Sequence, residues 1–369
     1  MKLVIFGLTI SSSWGNGHAT LWRGLTRGLG AMGWDVVFFE RDVTFYAGAR
    51  DCDHVPGGGE LVLYRDWADA RVLAREHLRD ADAAIVTSYC PDGVAATDEM
   101  LASRCPRRIF YDLDTPVTLD NLAAGRETAY IGADGLRGFD LVLSFTGGPA
   151  LDILRDELGA KRVAPLYGHV DPDVHRPMPK DPHFAADLSY LGTYAQDRQA
   201  MLEELFIEPA RLRPDMRFVI GGAQYPADFP WTNNIYFVRH LPPGDHAAFF
   251  SSGRITLNVT RAAMARMGWC PSGRLFEAAA CGAPIVTDDW PGLSEFFTPG
   301  QEIIVARNAA DTLAALDMPD DDLATMARRA RERVLDEHTS VQRARELAGL
   351  IESLDARTSS TAHAPFMET

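Results

Sequence analysis

The stretch Gly268-Trp269-Cys270-Pro271-Ser272-Gly273-Arg274-Leu275-Phe276-Glu277-Ala278-Ala279-Ala280-Cys281-Gly282-Ala283-Pro284-Ile285-Val286-Thr287 joins a turn, a helix and a short apolar strand. Pro271, Ser272 and Gly273 build a tight turn ahead of the helix, whose unpaired first amides and positive dipole end attract anions. Arg274 adds a fixed charge with a fork of donors suited to phosphate. Glu277, one turn further along, is placed to accept hydrogen bonds from a ribose diol. Alanines 278–280 keep the helix slim against its neighbours, and Cys281-Gly282-Ala283-Pro284 ends it with a left-handed glycine cap. Helix followed by buried strand is the ordinary repeat of an α/β core, which accounts for the alanines. Charged residues at so packed a junction ask for a ligand.

The same repeat extends in both directions. Short apolar runs at 3–6, 36–39, 84–87, 108–111 and 141–145 read as buried strands, and helical spacing of apolar residues covers 19–32, 66–78 and 92–102. Between 165 and 182 the pattern pauses in a segment dense in proline and glycine, the expected linker. A second series follows, with strands at 188–191, 217–220, 235–238, 255–259 and 284–287 and helices at 198–205, 247–251 and 274–280. Two late helices, 321–336 and 341–354, complete the chain. The expectation is α/β with two Rossmann-like, doubly wound parallel-sheet domains facing a cleft. Their limits are 1–168 and 169–337, with a last helix, 340–355, packing back on the first domain and a loose tail at 357–369.

Composition narrows the function. A chain of 369 residues exceeds one core, and 46% hydrophobic with 24% charged residues is a normal globular mixture. A formal net charge of −15 argues against nucleic acid as a partner. No apolar run reaches the roughly 20 residues of a transmembrane helix, and the start at Met1 is too brief for a signal-peptide core. Five scattered cysteines without paired spacing point to reduced thiols and a cytoplasmic location, and no metal-ligand spacing is recognisable.

Loops at the carboxyl ends of the expected strands carry the remaining candidates, because open parallel sheets bind ligands there. In Ser11-Ser12-Ser13-Trp14-Gly15-Asn16-Gly17-His18, the glycines permit close approach and His18 stands at a helix start. It is a candidate general base on an acceptor hydroxyl or a sugar contact; its ordinary alternative is a helix cap. Gly15-x-Gly17 with Glu40 imitates a dinucleotide fingerprint, but Thr20 replaces the third glycine. Asp112 and Asp114 follow a strand in Tyr111-Asp112-Leu113-Asp114-Thr115-Pro116, where they suit sugar hydroxyls, a divalent metal, or a turn with Asp114 as cap. Gly192 and Arg198 repeat the logic of strand, glycine turn and basic helix start, so Arg198 is the expected partner of Arg274 on a diphosphate. Asp288 and Asp289 are further candidates for sugar hydroxyls or for a helix cap.

These residues resemble glycosyltransferases of the two-domain GT-B fold, and within them the CgeB-like group related to spore maturation proteins. The likeness rests on Ser272-Gly273-Arg274-Leu275-Phe276-Glu277-Ala278 with Cys281-Gly282-Ala283-Pro284, on Gly192 with Arg198, and on Trp14 to Thr20 with Asp112 to Pro116. It implies a nucleotide-diphosphate sugar as donor in the second domain, UDP-sugars favoured, and an acceptor of unspecified kind against the first, with no obligatory metal or separate cofactor. Gly192, Arg198, Ser272, Gly273, Arg274 and Glu277 would bind the donor, and His18 and Asp114 would serve catalysis. Retaining members often carry two glutamates separated by seven residues; here the second matches Glu277 while Trp269 holds the place of the first. A sugar-nucleotide epimerase of the same architecture and a binding protein without turnover are the alternatives.

Overall fold

The computed structural model describes residues 1–15 and 17–354. The expected tail at 357–369 lies outside the described residues. The described residues divide into two units, one of Met1–Leu166 together with 340–354, the other of Tyr167–Thr339.

In the first unit seven strands form one parallel sheet: β1 Lys2–Gly7, β2 Asp35–Arg41, β3 Glu60–Tyr64, β4 Ala83–Thr87, β5 Arg108–Asp112, β6 Leu141–Ser144 and β7 Val163–Pro165. Their order, β3-β2-β1-β4-β5-β6-β7, reverses at β1, which is the doubly wound pattern. Central strands such as β1 and β4 are buried along nearly their whole length, because helices cover both faces and leave no place for a polar alternation. The two edge strands, β3 and β7, were not anticipated. β7 has three residues, too few to mark a buried strand, and β3, although it carries the apolar run Leu61–Tyr64, is half exposed as an edge strand.

Helix His18–Ala31 buries Trp22, Leu25 and Leu29 against the sheet. Helix Ser340–Glu352 lies on it, with Ala344, Leu347, Ala348 and Ile351 joining the same core. Gly28 is required at their crossing: a Cβ there would stand 2.8 Å from the Ala344 Cβ and 3.0 Å from the Ser340 carbonyl.

The second unit holds six parallel strands: β8 Ala186–Leu191, β9 Phe218–Gly222, β10 Ile235–Arg239, β11 Gly253–Asn258, β12 Ile285–Thr287 and β13 Ile304–Val305. The order is β10-β9-β8-β11-β12-β13, so the two-residue β13, and not β12, closes the sheet. One apolar face packs under Phe249, Phe276 and Phe297, the other under Phe206, Leu202 and Leu316.

The helix expected at 198–205 is longer and broken. A tight turn at Gln196–Arg198 leads into Gln199–Leu202, a widened π segment Glu203–Ile207 and a last turn Glu208–Leu212. Pro209 explains the widening, since it has no N–H to give the carbonyl one turn back and its ring crowds that carbonyl. The glycine cap after helix Gly273–Ala280 is present, with Gly282 at φ +75°.

Candidate functional site

In the second unit the polar groups gather at the carboxyl ends of β8, β9 and β11. Arg274, on the first turn of helix Gly273–Ala280, donates through Nη1 to the Leu191 carbonyl at 2.5 Å and through Nη2 to the Val259 carbonyl at 3.3 Å. Its Nε reaches the Ser272 hydroxyl at 3.3 Å, and its guanidinium lies 5.5 Å from the centre of the Tyr190 ring. The side chain is thereby stapled across the ends of two neighbouring strands. Gly192 makes room for it, because a Cβ there would be 2.7 Å from the Tyr190 hydroxyl and 3.0 Å from Arg274 Nη1. Ser272 is the helix N-cap residue but makes no side-chain cap bond, and nothing lies within 4 Å of where a Gly273 Cβ would be. The helix start opens onto free space.

Arg198 stands beside this group. It gives one bond, Nη1 to the Thr193 carbonyl at 3.3 Å, while its buried Nε has no partner among the described residues. Burial lowers its pKa first, and the positive charges of Arg274 and Arg261 lower it further. Arg261 is committed to Asp197 at 3.0 Å, whereas neither Arg198 nor Arg274 has a carboxylate within salt-bridge distance among the described residues. Two guanidinium ions thus sit together with no carboxylate in direct contact, the nearby Asp197 being taken by Arg261, an arrangement that costs energy until an anion joins them. Tyr225 completes the edge by donating to the Gly192 carbonyl at 3.0 Å; burial raises its pKa.

Glu277, on the same helix, has neighbours that the sequence did not announce. One ligating atom from each of Glu277, His175 and His246 lies within 4.8 Å of the others. His175 is buried and His246 is partly buried, and desolvation lowers the His246 pKa while Glu277 pushes it back up. Trp269, in the place of the first glutamate, takes a left-handed φ of +45° and donates its indole N–H to the Glu295 carboxylate. Asp288 is buried and accepts from the Thr260 amide at 3.0 Å and hydroxyl at 2.9 Å, and Asp289 pairs with Arg307 at 2.7 Å. Both carboxylates are therefore occupied within the fold.

The first unit presents acids at the corresponding edge. Glu40, at the end of β2 and fully buried, accepts from the Thr9 hydroxyl at 2.9 Å, the Ile10 amide at 2.8 Å, and the Ser11 amide and hydroxyl at 2.9 and 2.6 Å. It holds the loop after β1 in shape. With all its lone pairs directed inward it is not available to a ribose, which removes the dinucleotide reading.

Asp112 and Asp114 have different partners, because the chain leaves β5 and enters helix Thr115–Ala123 between them. Asp112 Oδ1 accepts from the Asp114 amide and the Thr118 hydroxyl, both at 3.1 Å, so Asp112 closes the turn. Its Oδ2 is buried without a partner among the described residues, and burial raises its pKa to about 6, with the Asp114 charge adding to the rise. Asp114 is the N-cap residue yet caps nothing with its side chain; its Oδ2 accepts from the Tyr89 hydroxyl at 2.8 Å. Tyr89 follows β4 with φ +62°, a strained conformation for a bulky residue, and its ring centre lies 5.6 Å from that of His18. Tyr89 is thus the residue that links His18 to Asp114, and its positive φ left no trace in the sequence. His18 itself is the first residue of its helix, after the N-cap residue Gly17, and has its pKa lowered by burial to about 4, so the imidazole is neutral at physiological pH.

Residues 198–349 match a family model described as glycosyl transferase-like. No curated protein sequence matches the chain. Among solved structures it is similar to an alpha-glucosyltransferase in complex with UDP, at TM-score 0.71 and 15% identity over 95% of this chain and 100% of that one. It is similar also to sucrose-phosphate synthase from Thermosynechococcus elongatus, at TM-score 0.68 and 13% identity over 96% and 99% of the two chains. HepE from Anabaena, in complex with UDP and glucose, aligns at TM-score 0.66 and 12% identity over 96% and 100%. Two parallel-sheet Rossmann-like units, matched along nearly the whole chain by glycosyltransferase structures, give this protein the GT-B fold.

Proposed function

We propose that the protein is a GT-B glycosyltransferase that moves a sugar from a nucleotide-diphosphate sugar, UDP-sugars favoured, to an acceptor hydroxyl. The observation that carries this reading is the pair Arg198 and Arg274, two guanidinium ions held near one another beside the open start of a helix, with no carboxylate in salt-bridge contact among the described residues. A diphosphate supplies the counter-charge. As the sugar departs, negative charge grows on the leaving diphosphate, and preorganised donors that need no rearrangement stabilise it best. Arginine chemistry suffices for this step, so the reading requires neither a metal in the transfer nor a cofactor besides the donor. Gly192, Ser272 and Gly273 frame the diphosphate, and one carboxylate oxygen of Glu277 takes the ribose diol.

On the acceptor side His18 is the proposed base. Its neutral form can take a proton from a hydroxyl, and Asp114, through Tyr89, fixes the surroundings of the ring. Hexosyl transfer, membership of the CgeB-like group and action in the cytoplasm belong to the same proposal; no helix among the described residues is long and apolar enough to cross a membrane.

Calorimetry with UDP and UDP-sugars on the wild type and on Arg274→Ala, followed by product analysis with candidate acceptors, tests the reading. Tight UDP binding that the variant loses supports it; equal affinity in both, or stabilisation by NAD and by no nucleoside diphosphate, overturns it. Trp269, standing where a glutamate would face the donor sugar, favours one second reading, a binding protein without turnover. Nucleotide binding with neither donor hydrolysis nor transfer would decide for it.

A further inference from the structure

Three side chains in the second unit meet from distant parts of the sequence. His175 belongs to the segment entering that unit, His246 opens helix His246–Ser252, and Glu277 lies on the second turn of helix Gly273–Ala280. A ligating atom from each falls within 4.8 Å of the other two. His175 is 4% exposed, neither of its ring nitrogens has a hydrogen-bond partner among the described residues, and Nδ1 of His246 is likewise buried and unpartnered. Buried imidazole nitrogens without partners are rare, and two rings of this kind turned towards one carboxylate call for a shared occupant.

We propose that His175, His246 and Glu277 bind a divalent transition metal of the zinc class. Two imidazole nitrogens and one carboxylate oxygen form a donor set that such ions favour, whereas magnesium and calcium prefer oxygen throughout. Tetrahedral bonds of about 2.0–2.2 Å place ligand atoms roughly 3.3 Å apart, so binding would draw the three groups together from their present spacing. Three protein ligands leave the fourth position to water. The ion would tie the entering segment to two helices and fix the carboxylate of Glu277, a residue the donor reading also uses, while taking no part in sugar transfer.

The test uses the full chain, stripped with chelator and titrated with Co2+ in the absence of any nucleotide. The expected result is a saturable visible d–d band of tetrahedral intensity at one equivalent, discharged by one equivalent of Zn2+. Glu277→Gln and His175→Ala should each weaken Co2+ binding more than about 100-fold, beyond the loss that follows removal of an outer partner. Far-UV circular dichroism accompanies each variant, and the near-isosteric Glu277→Gln carries the test if His175→Ala misfolds. Absence of a saturable band, or a band that survives in folded Glu277→Gln, overturns the proposal and leaves a metal-free histidine–carboxylate contact. Because no nucleotide is present, this failure is distinct from a failure of UDP to bind in calorimetry.

Discussion

The carboxyl-terminal edges of the two sheets are built alike and charged oppositely. In the first unit the edge collects Glu40, Asp112 and Asp114, which accept from hydroxyls and amides. In the second, besides Asp288 held by the Thr260 amide and hydroxyl, it collects Arg198 and Arg274, held by backbone carbonyls with no carboxylate in salt-bridge contact among the described residues. Acids fixed by neutral donors suit the orientation of hydroxyl groups and the management of a proton. Arginines fixed by neutral acceptors suit a ligand that brings its own negative charge. One fold thus offers two chemistries, and the difference lies in which residues the loops deliver to the strand ends rather than in the sheets.

The comparison breaks most visibly at the arginines. Arg198→Ala should lower UDP affinity by about 100-fold or more in calorimetry, the loss of one or more charge-assisted hydrogen bonds at roughly 1.5–3 kcal/mol each, with little change in melting temperature. Arg274→Ala should lose as much affinity and also some stability, since Arg274 ties β8 to the loop after β11. An unchanged Kd for Arg198→Ala would remove the contrast between the edges.

Glu40→Gln comes next. The amide offers a donor where the loop presents donors, so buried N–H or O–H groups lose their acceptor, at a cost of about 2–4 kcal/mol in chemical denaturation. A variant as stable as the wild type would show that the loop after β1 does not depend on Glu40.

The pH dependence sharpens the comparison inside the first unit. Asp112 is raised from 3.8 to about 6, so the native state holds its proton more tightly than the unfolded chain. Its contribution to stability is complete below about pH 4 and is lost as pH rises through 6. His18 is lowered from 6.5 to about 4, so its contribution is present above 6.5 and lost as pH falls through 4. The two oppose each other over the same interval. Asp112→Asn should therefore leave a stability that rises with pH between about 4 and 6.5, with a gain on the order of 1–3 kcal/mol at pH 7. His18→Gln should leave one that falls over that interval. Parallel profiles for the two variants would contradict the burial of both groups.

The smallest effect is expected at Gly192. Gly192→Ala drives a methyl group against Tyr190 and Arg274 and should weaken UDP binding about tenfold, by about 1.4 kcal/mol, through displacement of the guanidinium.

Much of this was legible in the chain. The alternation of apolar runs with helical spacing, and the turn-helix-strand of 268–287, specify two parallel sheets because central strands and their covering helices are buried through local pattern alone. Edge strands β3, β7 and β13 escaped, being short or half solvated. Arg198, Gly192 and Arg274 could each be named from a strand-turn-helix context, since a helix start after a strand is a local property. That Arg274 spans Leu191 and Val259, that neither arginine has a carboxylate in salt-bridge contact among the described residues, and that Tyr89 stands between His18 and Asp114 were decided only by the tertiary structure, as was the meeting of His175, His246 and Glu277. The physical reason is the same in each case. Periodicity records which side of an element is buried, while the partners of a polar group depend on strand order and loop path, which bring together residues that no spacing in the sequence relates.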